Sequence, residues 1–526
     1  MRRMVVLAID GIDWFLMNQW AAEGRMPVLR QVLAESQVLR LGEANRPLPG
    51  SVWTDIATGT SAATHGYLYE EEIRAGSYEW HRVDASRVAV PRFYQSLSDS
   101  GVRCAVADFP VDQPIDHFNG VQIVDWGTEF KRWRFETRPP ALAAQLIKTY
   151  GAHPLTNHRT GSELRDLLDL RHKLSAGIDI KRRFAADLLD QRGHDFVFCN
   201  FSEVHKAGHF FWRFHDRAHP GFTAAEPGLV DSLRALYEET DAAIGSVLTH
   251  LTDQDDLMVM TDRGMYAEYR GDHLVDPILM QLDLAVPRGR RPGGVEKPSL
   301  RSRLLGGSNA RKGYRYISQK MMPSFVKNAL LPMHRAVIGA PPPLDWKKTR
   351  VFKLPTVGNS YLRVNLLGRD ASGIVTPGAE YEALIADLTA KFSALINPET
   401  GERAVENIYY PALHYRGPKA ADLPDVAIFW NSNAPINALE SGDIKLVAGL
   451  QPGPRSGNHR PDGFALFRGP SFSTVRGNQE GDARQIAPAM LKYYGVACPK
   501  HYEMEAPEAI FGRLGGAAML VPPRTP

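Results

Sequence analysis

Short apolar runs that stop abruptly on acids or imidazoles constrain this chain most. The first, Arg3 to Ile9, ends in Asp10-Gly11. A second, Phe196 to Phe201, runs into Glu203, His205 and His209. A third, Leu257 to Met260, is followed by Thr261-Asp262-Arg263-Gly264-Met265. Near the C-terminus His459 lies in Ser456-Gly457-Asn458-His459, just ahead of the apolar Gly463–Arg468. Such runs read as buried strands. In an open α/β sheet, groups at the carboxyl ends of strands converge on a ligand. Carboxylates and neutral imidazoles together suit a hard or borderline divalent cation.

Between these runs the pattern alternates. Met26–Glu35, Val52–Thr58, Leu174–Gln191 and Leu229–Leu251 have helical spacing, and Arg103–Asp108 and Gly120–Asp125 read as further strands. Alternation of this kind predicts an α/β fold, a mostly parallel central sheet flanked by helices. A chain of 526 residues exceeds one ordinary domain. The expected division is a core over 1–286, a basic cap over 287–345, a small α+β module over 346–430 and a return to the core over 431–526. The cap stands out by charge: Arg288 to Arg350 carries fifteen Lys or Arg against two acids, with an amphipathic middle from Ile317 to Ile338. It reads as a solvated segment with one docked face, or as a lid that attracts an anionic substrate or membrane surface. In the module, Tyr361–Asn365 and Asp425–Trp430 read as strands and Ala379–Ile396 as a helix; Ala483–Tyr494 is a closing helix.

Several function classes are disfavoured. The net charge of +3 gives no global nucleic-acid signal, and no specific nucleic-acid partner is expected. Cys104, Cys199 and Cys498 cannot make a disulfide framework, and Cys199 inside an apolar strand reads as a small buried residue. No apolar run reaches transmembrane length and none has the form of a signal peptide, so the expected setting is cytoplasmic. Dinucleotide and P-loop glycine patterns are absent.

Pro47-Leu48-Pro49-Gly50-Ser51-Val52-Trp53-Thr54 through Thr58-Gly59, with His65-Gly66 after it, is the remaining motif. A hydroxyl after a Pro/Gly turn at a helix start suits a nucleophile, and Ser51 there is equally a capping residue. Taken together with Ala8-Ile9-Asp10-Gly11, Glu203 through His209-Phe210-Phe211-Trp212, Thr261-Asp262-Arg263-Gly264-Met265, Tyr361 through Arg369 and Gly457-Asn458-His459, the pattern resembles the alkaline phosphatase superfamily. The resemblance is to its bacterial type I phosphodiesterase/nucleotide pyrophosphatase-like branch of phosphohydrolases, and it spans nearly the whole chain.

The resemblance implies hydrolysis of a phosphate ester, a phosphodiester or nucleotide pyrophosphate-type substrate, by in-line attack of a Ser or Thr hydroxyl at a centre of one or two divalent ions. Zinc is the expected ion, with manganese, magnesium or calcium as alternatives, and the partner is a small anionic phosphate-containing molecule. Carried onto this chain, one ion falls to Asp10, the nucleophile and Asp262, the other to Glu203, His205, His209 and His459. In an extended segment Glu203 and His205 would point the same way.

Three positions depart from the family pattern. The usual His after the late Asp is Arg263, whose guanidinium cannot ligate a cation and either binds phosphoryl oxygens or pairs with Asp10 or Asp262. The family's nucleophile position falls on Pro49, leaving Ser51, with Thr54 as the alternative. The usual Asp before the middle His is His205. Rival readings are a phosphomutase, a sulfate or phosphonate ester hydrolase, or a catalytically degenerate binding protein on the same fold. His65 reads as ordering its loop, His215, Asp216 and His219 as surface or supporting groups, His273 as structural, and Lys131 or Arg132 as possible substrate contacts.

Overall fold

The structure is a computed structural model that describes residues 2–42, 48–74, 76–128, 133–155, 161, 163–224, 226, 228–288, 343–356, 358–449, 454–473 and 477–511. Most of the basic cap, with Ile317–Ile338, and the pair Lys131 and Arg132 lie outside the described residues.

A nine-stranded sheet forms the centre. Its strands lie side by side in the order Asn478–Glu480, Gln37–Arg40, Phe464–Arg468, Asp255–Thr261, Arg3–Ile9, Phe196–Phe201, Cys104–Ala107, Gly120–Val124 and Glu136–Arg138. The Arg3–Ile9 strand pairs in parallel with both Phe196–Phe201 and Asp255–Thr261. Phe464–Arg468 is antiparallel to its two neighbours, and Glu136–Arg138 is antiparallel at the far edge.

The first strand reads apolar throughout because both of its faces are covered. Val5, Leu7 and Ile9 enter one core with the Leu164–Asp190 and Ser232–Leu248 helices. Met4, Val6 and Ala8 enter the other, against Val52–Thr58 and Ile486–Tyr493. The period-two split of one short segment between two cores fixes its register, because a one-residue slip would exchange the faces. The helix expected over Leu174–Gln191 starts ten residues earlier, at Leu164.

A second, four-stranded antiparallel sheet holds Val351–Lys353, Ser360–Val364, Val426–Trp430 and Val405–Tyr409, in that order, with the Ala379–Ser393 helix on one face. Its other face, with Phe352, Leu354, Tyr361, Ala427 and Phe429, packs on Leu48, Ala62 and Ala63 of the core. Among the described residues no helix is long and apolar enough to cross a membrane.

The core also buries charge. Lys181, fully buried, donates to the equally buried Asp108, which accepts the Trp126 and Gly127 backbone N–H groups at 2.7 and 2.8 Å. Burial lowers the Lys181 pKa, and the charge and hydrogen bond of Asp108 together with the Cys199 and Glu203 charges more than restore it, so the ammonium stays charged. Asp108→Ala leaves that ammonium without its counter-ion, and unfolding in denaturant is expected to show a loss of about 3–5 kcal/mol. An unchanged transition midpoint would refute this account of the core.

Candidate metal centre

Three parallel strands end on one edge of the sheet. Ile9 is level with Phe201, and Ala8 with Met260, so Asp10, Ser202 and Asp262 emerge close together. The Asp10 N–H donates to Phe201 O at 2.9 Å and the Gly11 N–H to Thr261 Oγ1 at 3.1 Å, which ties the three strand ends. After Phe201 the chain turns at once into the helix Glu203–His215. His205 and His209, four residues apart, therefore share one helix face.

The third imidazole comes from a distant segment. Gly264–Ala267 pairs antiparallel with Gly457–Arg460, placing Met265 opposite His459. This ribbon crosses the helix at two glycines. A Cβ on Gly457 would stand 2.2 Å from Gly208 O, a distance no side chain tolerates. The close approach lets His209 Nδ1 reach Gly457 O at 2.9 Å and the Ser456 N–H reach His209 O at 2.8 Å.

The result is a cluster of His205, His209 and His459 whose ligand atoms lie within 4.8 Å of one another, the one such group among the described residues. His205 Nε2 is 3.2 Å from His209 Nε2 and 3.1 Å from His459 Nε2. His205 Nδ1 is 2.8 Å from Asp10 Oδ2, and Trp53 Nε1 donates to Asp10 Oδ1 at 3.1 Å. A carboxylate and a carbonyl oxygen accept, so Nδ1 is the donor in both His205 and His209. In the neutral rings neither Nε2 then carries a proton. With both rings neutral, two lone pairs meeting at 3.2 Å repel, a conflict that a proton or a metal cation between them removes. Imidazole nitrogens held by a carboxylate and a carbonyl behind them are what a zinc-type centre requires. His459 is the member that solvent reaches, which leaves the cluster accessible from one side.

The electrostatics agree. Burial holds His209 well below the ordinary imidazole value, and the Arg455 and His205 charges push the same way. His459 is likewise held well down by burial, then by Arg263, His205, His209 and Arg270. Burial would raise the Asp10 carboxyl, but His205 and Arg263 outweigh it and Asp10 stays below its usual range. Burial pushes the Asp262 carboxyl up against the opposing Arg263 charge, and Asp10 adds to the rise.

The remaining expected site residues divide. Glu203 is not in the cluster. The segment is helical from its first residue, not extended, so Glu203 turns away from His205 and lies 3.0 Å from His153 Nε2 in the interior. Asp10 stands behind His205 rather than among the clustered ligand atoms. Asp262 Oδ2 accepts from Arg263 Nε at 2.5 Å, while its Oδ1 is buried without a hydrogen bond among the described residues. A guanidinium thus sits where the family pattern implies part of a second cation site. Ser51 lies in a tight turn, caps nothing, and donates to Leu48 O at 3.2 Å. The Thr54 hydroxyl is buried and makes no hydrogen bond among the described residues. His65 orders its loop, with Nε2 2.7 Å from Asp55 Oδ1 and Nδ1 accepting the Tyr67 N–H at 3.1 Å. His215 stacks edge-on against Trp20, Asp216 accepts Tyr269 Oη, and His273 donates to Gly449 O. Trp53 as the donor to Asp10 and the Gly208–Gly457 crossing were not assigned from sequence, although both lie inside the quoted motifs.

Two outcomes test this geometry. Gly457→Ala forces the ribbon off the helix, with an expected loss of about 1–3 kcal/mol in denaturant unfolding and weakened ion binding; unaltered behaviour would refute the crossing. The pH dependence follows from the imidazoles. An unfolded His209 or His459 titrates near 6.5, and the folded ones far lower. Below about 6.5 the unfolded chain binds protons that the folded chain refuses, so stability of the ion-free protein falls with pH, by at most about 1.4 kcal/mol per unit for each histidine. Unfolding curves at neutral and mildly acid pH measure this, and a variant with Gln at both positions should lose that part of the slope.

No protein-family profile and no curated protein matches the chain. Among solved structures it is similar to the phosphonoacetate hydrolase of Sinorhizobium meliloti 1021 in complex with phosphonoformate, at 12% identity over 89% of each chain and a TM-score of 0.45. It is also similar to murine ectonucleotide pyrophosphatase/phosphodiesterase 5, an inactive form in complex with AMP, at 10% identity over 95% of this chain and 97% of that one, TM-score 0.45. The human counterpart gives 9% identity, coverage of 95% and 96%, and a TM-score of 0.43.

Proposed function

We propose that this chain is a metal-dependent hydrolase of phosphate esters, acting on a phosphodiester or pyrophosphate-type substrate. The observation that carries the reading is the convergence of three imidazoles, two of them with Nδ1 engaged as a donor and Nε2 turned inward. His205, His209 and His459 would hold the ion, zinc by the character of the donor set. When bound, such an ion supplies Lewis-acid polarisation of a phosphoryl oxygen and favours a nucleophile at neutral pH.

Charge selects the substrate. Asp10, Asp262 and Glu268 are matched by Arg263, Arg270 and Arg455, all of which bear on the cluster or its neighbours. A divalent ion would then stand uncompensated, and an anionic ester restores balance. Asp10 holds the His205 tautomer and ring orientation, and Trp53 holds Asp10. Arg263 offers guanidinium N–H groups to the equatorial oxygens of the phosphoryl group in flight. Its pairing with Asp262 supports a centre with a single ion. Of the two candidate nucleophiles, Thr54 is favoured because its hydroxyl has no partner among the described residues, whereas that of Ser51 is committed to Leu48 O.

Purified full-length protein should retain close to a single equivalent of zinc and turn over aryl phosphate mono- or diesters. His209→Ala should weaken ion binding by well over about tenfold and abolish turnover. Thr54→Ala should abolish turnover with the ion retained, while Ser51→Ala keeps activity. Folded protein that takes up no zinc, manganese, magnesium or calcium and hydrolyses neither ester class would overturn the reading.

A further inference from the structure

A cavity of about 590 Å³ lies where the four-stranded module meets the core. Leu68, Leu354 and Leu423 form its apolar floor, and all three belong to the cluster that joins the two parts. None of His205, His209 and His459 lines it. A space of this size with an apolar floor takes a drug-sized organic molecule and is far too roomy for an inorganic ion.

Two cationic side chains on its wall, Lys419 and Arg87, run past one glycine. The Lys419 N–H donates to Ala63 O at 2.7 Å, which fixes its backbone against the core. Glu72 accepts Arg87 Nε at 2.8 Å and Asp422 accepts Arg87 Nη2 at 3.3 Å, which leaves Nη1 over. A Cβ on Gly66 would stand 3.3 Å from Lys419 Cγ, 3.7 Å from Lys419 Cε and 3.6 Å from Arg87 Nη1, so both cations pass the same point. Lys419 and Arg87 are half-buried rather than sealed, and the Arg87 side chain is 29% exposed.

The acids around the cavity are already engaged. Glu72 and Asp422 accept from Arg87, and Asp370 accepts from Arg363 Nε at 2.8 Å and from Arg369 Nε at 3.0 Å. Glu71 points to the other face of its hairpin from Glu72, level with Arg82. Lys419 Nζ and Arg87 Nη1 therefore have no acceptor among the described residues. A half-buried ammonium without a counter-charge is unfavourable, and open space lies beside it for an anion. A carboxylate or phosphoryl group, with several oxygens, accepts from both donors at once. We propose that this cavity is a further ligand site, for an organic oxyanion: a carboxylate or phosphoryl head held by Lys419 and Arg87, and an apolar body against Leu68, Leu354 and Leu423. The site stands apart from the metal centre and does not depend on the hydrolase reading.

Calorimetry on the full chain stripped of metal tests this with naphthoate, naphthylphosphonate, naphthalenemethanol and inorganic phosphate. At least one of the two organic acids should bind about tenfold or more tighter than both the neutral alcohol and inorganic phosphate. The tighter acid identifies the head group, and equal affinity means that the site takes both. Lys419→Met keeps the alkyl stem and removes the charge, whereas Ala421→Trp, at an exposed residue of the wall, fills the space. Each should weaken acid binding about tenfold or more, and neither should lower the thermal midpoint. Acids that bind no tighter than the alcohol, acid binding that appears only after zinc is added, or affinity that either variant retains overturns the site.

Discussion

His459 meets the helix that carries His205 and His209 because neither Gly457 nor Gly208 has a side chain. The rest of the centre depends on that contact. It sets the carbonyl that fixes the His209 ring, and it brings an imidazole from the far end of the chain within 3.1 Å of His205 Nε2. Hydrogen bonds alone would not specify this crossing, since a shifted ribbon could make a similar number. Excluded volume does, because only one register puts glycine against glycine. Asp10 and Trp53 then complete the orientation from the opposite side, through the strand that both cores grip.

Charge is organised in the same economical way. The second cation expected from the motif pattern has a counterpart in Arg263, a fixed positive group already paired with Asp262. A guanidinium keeps its charge at any pH the protein meets, and it offers directional N–H donors where an ion would offer coordination. Its field acts on the imidazoles beside it, lowering both His209 and His459.

Much of this was legible in the sequence, for reasons that can be traced. Arg3–Ile9 and Phe196–Phe201 are short, wholly apolar and bounded by polar groups, and a strand buried on both faces has few other ways to read. The abrupt acids and histidines after them marked the sheet edge. Glu203 misled because periodicity carries no information at a boundary: a strand that passes into a helix without a loop looks like a longer strand until the helix has made a turn. Asp10, expected from the resemblance as a ligand, stands behind His205, and composition cannot distinguish a residue that binds an ion from one that orients the residue that does.

The spacing of the three histidines has a consequence for biogenesis. His205 and His209 leave the ribosome almost together, but His459 follows His205 by 254 positions. Throughout that interval a nascent polypeptide has only two of its three imidazoles and lacks the ribbon that aims one of them. An ion held by all three, as proposed, would therefore wait for the late antiparallel strand to slot between Gln37–Arg40 and Asp255–Thr261. On the proposed reading, metallation would be a late event of maturation, a seal on a folded chain rather than a nucleus for a growing one.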